Sequence, residues 1–298
     1  MKLGITDKAY KRLDEATTPY FAKARRNRLE RTSFSIISNN CWAGSVYRYY
    51  GLPYQSPTAG LYFFAPDYIK LCGDLRRYMS LSLEPLDIVD SPHRDELVAK
   101  GQRDVPLGLL GDIEVVFLHY PSFEEAREKW ERRASRINYD DVFFKFSEMN
   151  HCGEAELVDF SRLRHRNKVL FTVKDRPDLG CSVRFGRRYV ANSEIGNDTV
   201  AFRRYFDLTG WLNSPPEKYR GGLVVNLETF LRVRAASGCI RGSSEGEGGT
   251  SRARPRLSAG RRRRPRGAEF RRPIPPLNDM TASLGGAVNF HPNWGDDV

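Results

Sequence analysis

The feature that most constrains this chain is a series of short apolar runs that do not alternate with polar residues. They are Ser35 to Ile37, Leu61 to Phe64, Ile113 to Leu118, Val142 to Phe146 and Val169 to Val173. A strand with one face in water shows every second residue polar, whereas a strand covered on both faces reads as an unbroken apolar run. Stretches with helical spacing, Pro66 to Met79 and Ser122 to Ile137, lie between the runs. Parallel strands can be joined only by a crossover, usually a helix. The pattern therefore predicts an α/β fold, a mostly parallel sheet flanked by helices and arranged as two α/β subdomains. The second helical stretch carries its own start signal, Ser122 with Glu125 three residues later, and Ala126, Trp130 and Ala134 share one face.

Composition changes mark the boundaries. Residues 5–31 read as helical, with Pro19 inside and Lys23, Arg25, Arg26, Arg28 and Arg31 crowded near the end. Residues 1–31 thus form a basic N-terminal segment, suited to a solvated face, anionic lipid or a polyanionic ligand. Residues 32–231 carry the α/β domain, with Asn213 to Pro216 as a turn and Leu223 to Leu231 as a last element. Residues 232–298 are rich in Gly, Ser, Pro and Arg, too poor in large apolar groups to offset the entropy of ordering, and are expected to be a disordered tail. That tail holds thirteen Arg, no Lys and six acidic residues, so it carries +7 of the chain's +11 and leaves +4 for the rest. The basic balance describes a tail, and nucleic acid is not favoured as a partner. Cys41, Cys72, Cys152, Cys181 and Cys239 are odd in number and widely spaced, which points to free thiols in a reducing compartment. With no leader-like start and no apolar run near the roughly 20 residues that span a bilayer, a cytoplasmic location is expected, with a peripheral seat on the inner membrane face as a variant.

In open α/β sheets, ligands bind beyond the carboxyl ends of the strands, where backbone N–H groups at the next helix start point into a crevice. The loop Ser38-Asn39-Asn40-Cys41-Trp42-Ala43-Gly44 has that position after the first run. Cys41 is the candidate nucleophile, because a helix N-terminus stabilises a thiolate; the plain alternative is a structural thiol. His119, at the end of Ile113 to Leu118, is the candidate base for it. Asn39 and Asn40 offer donors and acceptors for hydroxyls or phosphates, or for their own backbone. A second group, Lys145, Glu148, Asn150 and His151, lies in or after Val142 to Phe146 and could orient sugar hydroxyls or relay a proton. Lys174 follows the last run and could meet a phosphate. The chain lacks a P-loop, a Gly-x-Gly-x-x-Gly turn, a Gly-x-Ser-x-Gly elbow and a His-Glu-x-x-His pair, and no Cys/His spacing suggests a metal site. No cofactor is named by any motif.

Several blocks, in order, resemble a bacterial family, domain of unknown function 1919. They are Phe34 to Gly44, Ser56-Pro57-Thr58-Ala59-Gly60-Leu61, Asp67-Tyr68-Ile69-Lys70, Leu110 to Glu114, Phe117-Leu118-His119-Tyr120, Trp130-Glu131-Arg132-Arg133 and Arg136 to Asp140. The resemblance runs over about residues 25–213. It departs at Ala43, where the family pattern has Gly, and at Glu148-Met149-Asn150-His151, which stands for Asp-x-Asn-Gly. It implies a two-part α/β fold and, since members are often labelled exopolysaccharide biosynthesis proteins or acetyltransferases, a setting in surface-polysaccharide assembly. The expected function is then a transferase acting on a sugar or sugar nucleotide by acyl or glycosyl transfer. Cys41, His119 and Glu148 would be its catalytic groups, and Asn39, Asn40, Lys145, Asn150 and Lys174 would bind ligand. The alternative is a non-catalytic carbohydrate-binding or scaffolding protein of a polysaccharide-assembly complex.

Overall fold

The computed structural model describes residues 5–214, apart from residue 197. The expected element Leu223 to Leu231 and the expected disordered tail lie outside the described residues. Helix α1 (Ile5–Arg26), with Pro19 inside, precedes β1 (Ser35–Ser38) and α2 (Trp42–Tyr50). Next come α3 (Ala65–Gly73), α4 (Leu75–Met79), β2 (Glu84–Leu86), α5 (Arg94–Ala99), β3 (Leu107–Leu110) and β4 (Ile113–Val116). The remainder runs α6 (Phe123–Ala134), β5 (Val142–Ser147), α7 (Glu154–Arg162), β6 (Lys168–Thr172), β7 (Ser182–Arg184), β8 (Val190–Ala191), β9 (Glu194–Ile195), α8 (Asp198–Ala201) and α9 (Leu208–Asn213). None of the described helices is long and apolar enough to cross a membrane.

Three of the five apolar runs become neighbouring parallel strands, in the order β1-β5-β6-β7. Both faces are covered, as an unbroken apolar run demands. On one side Ile37, Phe144, Phe146 and Leu170 pack with Tyr68 of α3 and with Leu157 and Phe160 of α7. On the other, Ile36, Phe143, Val169 and Phe171 pack with Trp42, Val46 and Tyr47 of α2 and with Trp211 of α9. Strand β1 lies at the end of this order, and side chains satisfy amides that β5 does not. Ile36 N–H donates to Tyr47 Oη at 2.9 Å and Ser38 N–H to Thr58 Oγ1 at 3.1 Å, which answers the usual liability of an unpaired edge.

The run Ile113 to Leu118 departs from expectation. Its strand β4 is antiparallel and belongs to a second sheet, β2-β3-β4. The reason is local: Leu110 pairs with Ile113 across Gly111, whose φ of 66° is left-handed, and a two-residue connection can only close an antiparallel pair. The run Leu61 to Phe64 is not a strand either. It is a strap whose Tyr62 pairs with Val116 of β4, N–H to O at 2.9 and 3.0 Å. Phe63 N–H reaches Asn39 O at 3.0 Å and Ala65 N–H reaches Asn150 O at 2.8 Å. The strap therefore ties the antiparallel sheet to the carboxyl ends of β1 and β5.

The helical stretches follow their signals with one break. Ser122 Oγ accepts the Glu125 N–H at 3.3 Å and starts α6. Pro66 to Met79 splits at Asp74, an extended residue whose carboxylate caps α4 by accepting Arg77 N–H at 3.2 Å. Tyr68 of α3 is buried, and its hydroxyl lies 2.8 Å from Ile37 O and 2.9 Å from Lys145 O, on β1 and β5. Replacing it by Phe leaves two buried carbonyls without that donor, and Tyr68→Phe should lose about 1–2 kcal/mol. A urea titration checks this, and an unmoved midpoint would show that the carbonyls need no such donor.

Candidate active site at the carboxyl ends of two parallel strands

Five polar side chains converge beneath the loop after β1. Asn39 and Asn40 come from that loop, Lys145 and Ser147 from the end of β5, and Asp198 from the start of α8. All five are buried, Lys145 completely. Its ammonium contacts Asp198 Oδ2 directly and donates to Asn40 Oδ1 at 3.0 Å and Asn39 Oδ1 at 3.5 Å. Asp198 Oδ2 also accepts from Ser147 Oγ at 2.6 Å and Asn40 Nδ2 at 2.9 Å. Asn40 Oδ1 further takes the Trp42 N–H at 3.2 Å, so the cluster grips the first turn of α2. Asn39 bridges to the main chain of Ser147, accepting its N–H and donating to its carbonyl, both at 3.0 Å. The ammonium also lies 5.3 Å from the Phe171 ring and 5.7 Å from the Trp42 ring, a placement that favours a cation.

The pair sits where charge is expensive. Burial draws the Lys145 ammonium below its ordinary pKa while Asp198 pulls it back up. Burial also acts to raise the Asp198 carboxyl, but Lys145, Ser147 and Asn40 outweigh it and hold that carboxyl below the usual range. The sequence reading missed Asp198 and Ser147. Asp198 lies 53 positions beyond Lys145, in a polar stretch that reads as a turn. The available signal was indirect: a lysine inside Val142-Phe143-Phe144-Lys145-Phe146 requires a buried carboxylate from elsewhere in the chain.

The other expected residues separate into distinct situations. Cys41 stands just before α2 as expected, but its Sγ faces Leu61 O at 3.5 Å and its pKa is pushed up to about 12, chiefly by burial and then by Asp198. The expected lowering fails because the helix-end effect is smaller than desolvation beside a carboxylate. His119 follows β4, in the second sheet, and its N–H donates to Gly60 O at 3.0 Å. Gly60 precedes Leu61, so the Cys41 side chain and the His119 main chain meet one short segment of the strap. Glu148 Oε2 accepts Val173 N–H at 2.7 Å, and its main chain bonds Phe171 O and Ile195 N–H. Asn150, left-handed at φ 55°, donates its N–H to Glu194 Oε1 at 2.8 Å and accepts from Lys100 Nζ at 3.4 Å. Lys174 is exposed on the turn after β6, outside this cluster. Lys145 is enclosed, and its ammonium is engaged by Asp198, Asn40 and Asn39.

Removing one partner of a buried ion pair leaves an uncompensated charge, so Asp198→Ala should cost about 3–5 kcal/mol at neutral pH. The double variant Lys145→Met/Asp198→Leu should recover most of that loss. Because the folded Asp198 carboxyl lies below its unfolded value, its stabilisation is complete above about pH 4 and fades as pH falls through the folded pKa. The gap between wild type and Asp198→Ala should narrow accordingly in acid. Thermal unfolding of the three proteins across pH measures both effects, and equal losses in single and double variants would remove the pair as their cause.

The pattern of one family, Domain of unknown function (DUF1919), matches residues 13–213. A Haemophilus influenzae protein described only as uncharacterized is 26% identical over 192 residues, spanning 64% of this chain and 83% of that protein. The matched span takes in the strap, strands β1 to β9 and the whole Lys145–Asp198 cluster. With most of its length matched, and every part of the site inside the match, the chain belongs to the DUF1919 family.

Proposed function

We propose that this protein is a transferase of bacterial surface-polysaccharide biosynthesis, moving an acyl or glycosyl group with a sugar or sugar nucleotide as substrate. The observation that carries the reading is the enclosed Lys145–Asp198 pair with Asn39, Asn40 and Ser147 at the carboxyl ends of adjacent parallel strands. A buried ion pair is a poor device for stability alone. Placed here, it rigidifies the Asn39 to Cys41 loop and the β5 end, where an open α/β sheet takes its ligand. The polysaccharide setting rests on the resemblance drawn from the sequence.

Roles within the reading follow from the geometry. Cys41, protonated at neutral pH, serves as a hydrogen-bond donor and contact, not as a nucleophile. His119, beside the strap, is the base candidate that the sequence supplied. Glu148 supports the β6 end through Val173, and Asn150 shapes the turn after β5. A sugar-nucleotide phosphate would meet exposed Lys174. The protein works in the cytoplasm, with the basic end of α1, including Lys23 and Arg26, available to the inner membrane face. The non-catalytic alternative, a carbohydrate-binding or scaffolding subunit, is favoured by one observation: the cluster's groups are already spent on each other.

A thermal-shift screen across sugar nucleotides, acyl thioesters and divalent ions, followed by turnover assays with labelled donors, tests the reading. A ligand that binds the folded state raises its apparent stability by mass action. Wild type should be stabilised by a sugar-containing ligand and turn over, and His119→Ala should lose about 100-fold or more in kcat. Binding without turnover would establish the scaffolding alternative, and turnover undiminished in both His119→Ala and Lys145→Met/Asp198→Leu would discard the site.

A further inference from the structure

A second group of titratable side chains stands on the rim of the same edge, and no role above uses it. Asn150 and His151 occupy consecutive left-handed conformations, φ 55° and 63°. Left-handed backbone is uncommon away from glycine, although Asn and His enter it more readily than most residues. Such strain persists only where the surroundings over-determine it, and it gathers where chemistry is done. Here the surroundings are explicit. Asn150 is fixed through Glu194 and Ala65, and His151 Nε2 contacts Glu96 Oε2 on α5. Glu96 also pairs with Lys100, four residues on. The His151 ring stands 5.1 Å from both Phe64 and His93, and His93 stacks on Phe64 at 3.5 Å. The His151 side chain is 49% exposed and that of Glu96 23%, so the imidazole faces outward with its carboxylate behind it.

The geometry points to His151 as a general base, oriented by Glu96, that takes the proton of a sugar acceptor's hydroxyl. The inference rests on the transferase reading above and offers His151 in place of His119 as the base, so that His119→Ala and His151→Gly assayed side by side decide between the two. A carboxylate accepting from Nε2–H fixes the tautomer, leaves a lone pair on Nδ1, and stabilises the imidazolium that forms. In the step, the hydroxyl O–H bond breaks and an N–H bond forms at Nδ1. The electron pair left on oxygen forms the new bond to the electrophilic carbon of an activated donor. That carbon's bond to the leaving group breaks, and the leaving group departs with the electron pair and recovers the proton from His151. An acyl thioester releases a thiol in this way, and a nucleotide sugar releases a nucleoside phosphate.

The charges around the ring suit the role. Burial acts to raise the Glu96 carboxyl, but Lys100 and His151 hold it below the usual range, so it is ionised at neutral pH. His93 is pushed below the ordinary imidazole value, first by burial and then by His151, against the pull of Asp67 and Glu96. It is therefore a neutral wall and not a competing cation. Glu96 is a positioning residue, and its loss should be read in kcat with KM little changed.

Diethyl pyrocarbonate, which acylates unprotonated and accessible imidazole, tests the pair on the full chain without any knowledge of the substrate. Peptide mass spectrometry should find His151 modified faster than His165, whose Nε2 is bound to Cys72 O at 2.6 Å and whose ring stacks on Phe144. Glu96→Gln should lower kcat with KM little changed, and Glu96→Asp, which keeps the carboxylate, should restore part of the loss. An unreactive His151, or turnover undiminished in Glu96→Gln, overturns the proposal. In turnover assays with thioester and nucleotide-sugar donors, His151→Gly, which the left-handed backbone accommodates, should lose about 100-fold in kcat with KM little changed, with partial rescue by added imidazole. Wild-type turnover undiminished in His151→Gly overturns the base alone. No wild-type turnover on either donor overturns the transferase reading and the base with it.

Discussion

A lysine in the middle of a core strand has to find a carboxylate, and much of this structure is arranged around that need. Lys145 points from β5 into the face packed by Trp42 and Phe171, where an unpaired ammonium would lose several kcal/mol of hydration. Asp198 answers it, and the remaining hydrogen-bonding capacity of the pair is met by Asn40, Asn39 and Ser147. Because Asn40 also holds the first turn of α2 through Trp42 N–H, the ion pair fixes the geometry of the loop after β1. The site's shape and the core's electrostatics are thus one arrangement.

The strap from Gly60 to Ala65 is the second organising element. It has too few ladder bonds to count as a strand, yet it meets the site and its surroundings: the His119 main-chain N–H, Cys41 Sγ, Asn39 O and Asn150 O each find a main-chain group on it. Through Tyr62 and Val116 it carries the antiparallel sheet with it. Residues brought from β1, β4 and β5 therefore hold their spacing through one short stretch of backbone, and a shift in any of them is felt by the others. Phe64 extends the same strap beneath His93 and His151, joining the rim pair to the loop of Asn39 and Asn40.

The parts legible in the sequence are those governed by local rules. Unbroken apolar runs gave β1, β5 and β6, and Ser122 gave the start of α6. Asn39, Asn40 and Lys145 were picked out because they follow or end such runs, and the structure gathers them. What escaped was set by a tight connection or by partners distant in sequence. The direction of β4 turned on a two-residue connection at Gly111, which an apolar run cannot reveal. The state of Cys41 turned on desolvation and on Asp198, against a rule that considers only the helix end. The residue type of Lys145 permits a phosphate ligand, while its burial partner lies beyond four further strands.

The distance along the chain between Lys145 and Asp198 has a consequence for how the protein is made. A nascent chain emerges from its amino end, so β1 and β5 exist well before α8 does. During that interval the growing sheet carries a cation with no counter-charge, and closing the core over it is unfavourable. Helix α8 thus acts as a completion signal: a chain cut short before residue 198 has its strands but cannot seal them, and is left open to proteolysis.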